Sequence, residues 1–267
     1  MEAPTPTTPA EPRQRWRLVY ARLPSAPQLA QRDQGAAWEA GLRASGLPVV
    51  GLEAMPPRPR IAFAAPLGVG LPAERELADL LLSERLPVAI VRDALEAHLP
   101  DGHQLVELLD VWLGEAALPG QVIAADYRAD VRVGAEVARA SAMLTPGAEA
   151  AAALADASAA LADAARRLLL EPSLLRTRDK GGLPVAYDLR PLLTDISVIE
   201  GAGSSPSVGR PATSAADVIQ LRIRVRYDPQ RGVGRPEEVF AALAEWAGME
   251  LSLEALVRER VVLATDH

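Results

Sequence analysis

Residues 219–227 read Ile219-Gln220-Leu221-Arg222-Ile223-Arg224-Val225-Arg226-Tyr227, a strict alternation of apolar and polar side chains. Successive side chains of a β-strand point to opposite faces, so this period of two predicts a strand with an aliphatic core face and an arginine face. Beyond it, Arg235-Pro236-Glu237-Glu238 predicts a helix running to about residue 247, because proline suits the first helical turn and acidic residues suit its positive end. The apolar run at 257–263 predicts a closing strand. Before it, residues 121–133 alternate through Tyr127, Ala129, Val131 and Val133 as a strand. An alanine-rich stretch at 147–170, with Leu154, Leu161 and Leu168 seven apart, then predicts a packing helix, with a coiled-coil partner face as the alternative. Segments 173–178 and 185–198 flank Asp179-Lys180-Gly181-Gly182, a turn signal that predicts a hairpin. Residues 201–216 are rich in Gly, Ser and Pro and read as a flexible loop.

The first half repeats the order. Trp16-Arg17-Leu18-Val19-Tyr20 predicts a strand and residues 35–44 a helix closed near Gly46. Short apolar segments at 47–52 and 60–65 surround Pro56-Pro57-Arg58-Pro59, and residues 76–83 predict a further strand. Val88, Val91, Ala94, Leu95 and Leu99 form a helical stripe, stopped by Pro100-Asp101-Gly102 before the strand-like stretch 104–113. Two successions of strand, helix, two strands, helix and strand predict an α+β chain of two ferredoxin-like α/β sandwich modules with antiparallel or mixed sheets. A single mixed sheet is the alternative. The boundaries expected are a disordered tail at 1–14, a first module at 15–118 and a second at 119–267, which contains the flexible loop at 201–216.

Composition excludes several chemistries. With no cysteine among its 267 residues, the chain can form no disulfide, thiolate nucleophile or iron–sulfur cluster of its own. Of the three histidines, His98 and His103 stand five apart across a helix-breaking turn, so they read as surface or loop residues, with no metal and no cofactor expected. The net charge of −7 repels nucleic acid in bulk, so any anion site must be a local patch. No apolar run is long enough for a membrane span and the first residues do not resemble a signal peptide, so a cytoplasmic protein without a membrane partner is expected.

Three stretches carry a resemblance. Residues 57–70, from Pro57-Arg58-Pro59-Arg60 through an apolar strand to Pro66-Leu67-Gly68, resemble the segment in which a Gly-aromatic-Asn-Pro-His-Pro-Arg motif leads into a strand and turn in the radical-SAM-linked family built on domain of unknown function 2344. Leu99-Pro100-Asp101-Gly102 resembles that family's helix-ending segment, and Asp188-Leu189-Arg190-Pro191 resembles its later signature. The first motif departs from the pattern: Ala54-Met55-Pro56 replaces its opening and Arg58 stands where the family usually has histidine. The resemblance implies a radical-SAM enzyme as partner and supplies no reaction.

The candidate binding residues are charged clusters. Arg222, Arg224 and Arg226 share one strand face and could track phosphates, or pair with carboxylates on a solvated sheet. Arg176, Arg178, Lys180, Asp188 and Arg190 gather on the hairpin, either as an anion site or as cross-strand pairs. Arg58 and Arg60 lie in the Pro-rich loop, where restricted backbone lowers the entropy lost on binding. The reading these support is a non-catalytic binding module presenting RNA or another anionic substrate to a radical-SAM enzyme. The alternatives are an RNA-acting enzyme using the hairpin charges and a purely structural partner subunit.

Overall fold

The computed structural model describes residues 10–134, 148–199 and 218–266. The fold is α+β, dominated by antiparallel sheet. Most of the expected 1–14 tail and the whole of the 201–216 loop lie outside the described residues. The chain packs as two compact units: the residues up to Val122 together with those from Leu263 onward, and Ile123–Val262. They are therefore not consecutive halves, because the end of the chain is counted with the first.

In the first unit the elements are β1 (Gln14–Arg22), α1 (Gln31–Ala44), β2 (Ile61–Phe63), β3 (Ala73–Leu82), α2 (Val88–His98), β4 (His103–Val111) and the short α3 (Leu118–Gln121). Strand β1 pairs antiparallel with β3 on one side and β4 on the other, and β2 pairs with β3, giving the order β2-β3-β1-β4. Trp16, Leu18 and Tyr20 of β1 share a core with Trp38 and Leu42 of α1 and Val91 and Leu95 of α2. The spacing is what amphipathic elements dictate: every second residue of the strand and i, i+4 pairs of the helices face one another. Leu18, Leu80 and Leu82 are fully buried, each contributing about 1.5–3 kcal/mol. Gly41 lets α1 approach the end of α2, since a Cβ there would stand 2.3 Å from the carbonyl oxygen of His98.

The second unit contains β5 (Val122–Val133), α4 (Ala148–Leu170), β6 (Leu175–Lys180), β7 (Leu183–Asp188), β8 (Leu193–Ile199), β9 (Val218–Asp228), β10 (Gly232–Val233), α5 (Pro236–Ala247) and β11 (Leu251–Leu263). Strand β9 lies between β5 and the pair β8 and β10, and β11 flanks β5. The hairpin β6–β7 is a separate two-stranded sheet that turns at Gly181 and Gly182, both at positive φ. Leu221, Ile223 and Val225 are buried, as are Ala157, Leu161, Ala164, Ala165 and Leu168 of α4. That stripe follows the 3.6-residue period and α4 packs on β8 and α5, so it is the packing helix of the two sequence readings.

Several boundaries differ from expectation. Strands β3 and β11 begin earlier, at Ala73 and Leu251, and the second arm of the hairpin breaks at a 3₁₀ turn over Arg190–Leu192. The apolar segment 47–52 is not a strand; Val49 makes an isolated bridge to Leu82, because the chain turns back at Gly51 (φ +84°), whose Cβ position is taken by the Arg58 carbonyl. Among the described residues no helix is long and apolar enough to cross a membrane.

Candidate functional site

The arginines of β9 meet carboxylates of the neighbouring strands. Register places Arg224 opposite Asp126 and Arg222 opposite Arg128. Arg224 donates to both Asp126 oxygens, at 2.5 and 2.9 Å, and Arg260 of β11 donates to Asp126 Oδ2 at 2.8 Å. Glu259 accepts from Arg128 at 2.7 Å and lies 3.5 Å from Arg222. Burial alone would raise the Asp126 carboxyl, but the hydrogen bonds and charges of Arg224 and Arg260 together hold it below the ordinary range. The Arg224 guanidinium is raised in turn, chiefly by its bond to Asp126. Arg226, opposite Ala124, is exposed.

Around the hairpin the signature residues hold backbone. The Asp188 carboxylate accepts the amides of Leu174 (2.7 Å) and Arg190 (3.0 Å), closing the open end of the hairpin. Burial works against its charge, yet these bonds leave it below the usual carboxylate range. Arg190 donates to the carbonyls of Leu193 and Leu169, the second of which belongs to the last turn of α4, where carbonyls lack helical partners. Arg176 pairs with Glu245 of α5 at 2.9 Å. Arg178 and Lys180 occupy β6 opposite Val185 and Leu183. Arg58 and Arg60 are exposed, while their backbone amides bond Gly51 and Val50. Among the candidates of the second unit whose side chains are described, Arg176, Arg222 and Arg224 pair with different carboxylates, and Asp188 and Arg190 hold backbone.

Two side chains read from sequence as surface or loop histidines are instead half-buried and line one cavity. This correction has a simple cause. After α2 the chain turns back through Pro100-Asp101-Gly102, with Gly102 at φ +72° and packed so tightly that a Cβ would stand 2.4 Å from the Ala26 backbone. His98 at the end of α2 and His103 at the start of β4 then border a cavity of about 440 Å³ in the first unit. Pro27, Leu29, Trp38 and Leu99 supply apolar wall, and Arg22, Gln34 and Asp101 join the histidines as polar groups. Trp38 is held edge-on to Tyr20, Phe63 and His103, with ring centroids 5.1–5.6 Å apart.

The imidazoles have defined hydrogen-bonding roles. His98 Nδ1 lies 2.9 Å from the Ala94 carbonyl and His103 Nδ1 lies 3.2 Å from the carbonyls of Pro100 and Asp101. A carbonyl only accepts, so Nδ1 carries the proton in each and Nε2 keeps the lone pair in the neutral ring. Burial pushes the His103 pKa down, and the Arg22 charge adds to it, against the opposing pull of the two carbonyls. Arg22, directly opposite His103 in the strand pairing, is only 3% exposed. Its Nη atoms donate to the Gly68 carbonyl at 3.1 Å and the Pro27 carbonyl at 3.0 Å. Among the described residues no group of three His, Asp or Glu side chains is placed to hold a metal ion. The sequence signals for this cavity were Gly41 and Gly102, which mark close backbone approaches and not ligand groups.

A crystal structure of an unknown protein from Galdieria sulphuraria is similar over 94% of this chain and 99% of its own, at 14% identity and a TM-score of 0.21. No curated protein matches. Residues 15–227, from the second residue of β1 to near the end of β9, match the family described as an uncharacterized protein conserved in bacteria (DUF2344), and the chain belongs to that family.

Proposed function

We propose that the protein is a non-catalytic binding module whose ligand is a small molecule held in the cavity of the first unit. The observation that carries this reading is the meeting of an apolar, aromatic wall with convergent polar groups around about 440 Å³, the size and make-up of small-molecule sites in general. The resemblance described above supports a radical-SAM enzyme as the partner that receives or supplies the ligand, within the cytoplasm. Strand orders β2-β3-β1-β4 and β8-β9-β5-β11, each with two helices in the connections, support reading the units as ferredoxin-like modules, with β6–β7 as an insertion in the second. RNA is the weaker candidate, because Asp126 and Glu259 already pair with Arg224 and Arg222 and would compete with phosphate. The rival enzyme reading needs Asp188 and Arg190 as reacting groups, and both are engaged with backbone.

Indole is a suitable first probe, since it is flat, apolar and small enough for the cavity. Ligand-observed NMR on the full chain is expected to show indole binding that Ala37→Phe, a substitution that fills the cavity from α1, removes. Binding of indole undiminished by Ala37→Phe, or no binding to either form, would remove the case for this site.

A further inference from the structure

Resting on that reading of the cavity, we propose that its ligand carries an anionic group, a carboxylate or a phosphate, which binds the Arg22 guanidinium beside His103 while the flat apolar part lies against Trp38. The other buried arginines of β1 are given a counter-charge. Arg15 and Arg17 of β1, whose side chains are 7% and 9% exposed, both bond the Asp79 carboxylate of β3. Arg17 also reaches Glu115 at 2.9 Å. A guanidinium removed from water is costly unless a counter-charge and hydrogen bonds replace the solvent, and here both are provided.

Arg22 lies on the same strand, is buried as deeply, and is treated differently. Its hydrogen-bond partners are two backbone carbonyls, and among the described residues no Asp or Glu forms an ion pair with it. Burial leaves the Arg22 pKa below its ordinary value, and the charges of Tyr20 and Glu76 offset that only in part. Carbonyl dipoles occupy two of the five N–H donors of a guanidinium, so the others stay available. Arg22 borders the cavity, and so does His103, whose Nε2 is not the nitrogen engaged by carbonyls. An incoming anion would supply the counter-charge that the fold provides at Arg15 and Arg17, bound by the planar fork suited to carboxylate and phosphate.

The test uses matched pairs of probes titrated calorimetrically into the full chain: indole-3-acetate against indole-3-acetamide, and adenosine monophosphate against adenosine. In at least one pair the anionic member is expected to bind about tenfold tighter or more, a margin typical of hydrogen bonds to a charged group. Which pair shows it separates carboxylate from phosphate as the recognised group. Arg22→Met is expected to abolish the preference, bringing the anionic member's affinity down to that of the neutral member. Equal binding within both pairs, or a preference that persists in Arg22→Met, overturns the proposal and leaves the cavity reading intact. Failure of all four probes to bind overturns both. Should Arg22→Met not fold, the imidazole pKa of His103 in the unaltered protein, followed by NMR, decides: saturation with the tighter anionic probe is expected to raise it, because the anion offsets Arg22, and an unchanged value overturns the proposal.

Discussion

Strands β1 and β9 both carry three arginines, and the two strands use them in opposite ways. On β9 the guanidiniums alternate with aliphatic residues, lie partly in water, and meet Asp126 and Glu259 across the sheet. On β1 both faces are buried, and Arg15, Arg17 and Arg22 sit inside the unit, two of them on Asp79 and the third on carbonyls alone. A visible stripe of arginines is therefore a poor marker of an anion site, since exposed charge on a sheet is readily matched by neighbouring strands. A buried arginine without a carboxylate is the more informative feature, because its charge has been removed from water without full replacement.

The largest test of that contrast is Asp79→Asn. It leaves two buried guanidiniums facing a neutral amide, and the expected cost is about 3–5 kcal/mol of folding stability, the range for breaking a buried pair from one side. Urea denaturation of the full chain would measure it. A loss below about 1 kcal/mol, the usual limit for exposed pairs, would mean that β1 and β9 do not differ in the way described.

Asp126→Asn is the matching change on β9 and is expected to cost less, about 1–3 kcal/mol, because Arg224 and Arg260 are each partly exposed and can recover hydration. Its pH signature is also fixed. The folded carboxyl titrates below its unfolded value, so the Asp126 contribution is present above about pH 4 and is lost as pH falls through the folded pKa. The substituted protein should lack that part of the acid-induced loss. It should also bind single-stranded RNA more tightly at low salt, since two guanidiniums lose their carboxylate; no gain would show that the β9 face is unsuited to phosphate even when freed.

How much of this was legible depended on whether burial left a period in the sequence. Strand β9, helix α2 and helix α4 bury one side only, so alternation or a helical stripe marked each of them. Strand β1 is buried on both faces, and its arginines look like the polar half of an ordinary strand until β3 supplies Asp79 from 62 residues away. The Asp188-Leu189-Arg190-Pro191 signature was visible as a resemblance, but its role as a backbone clamp depends on Leu174 and Leu169, which sequence spacing alone could not join to it. The cavity was hidden for the same reason. His98 and His103 are separated by a turn that usually sends side chains to the surface, and only the packing of Gly102 on Ala26 and of α1 on α2 through Gly41 encloses them.

The smallest expected effect concerns His103, and it separates the two strands by their response to protons. Its ring faces Arg22 and Tyr20 from β1 and Trp38 from α1, shares the cavity with His98, and is bonded by the carbonyls on either side of Asp101's amide. Burial lowers the folded pKa below the ordinary histidine value of about 6.5. Below that value the unfolded chain takes up a proton that the folded one refuses, so stability falls as pH drops from about 6.5 to the folded pKa and then levels off. His103→Asn should flatten the stability profile across that window by at most one proton while leaving in place the loss near pH 4, to which Asp126 and Asp188 contribute. Thermal melts between pH 7 and 5 on both proteins would show it. Parallel profiles would mean that the His103 site is open enough for water to hydrate the charged ring, and Arg22 beside it would then be as well solvated as the arginines of β9.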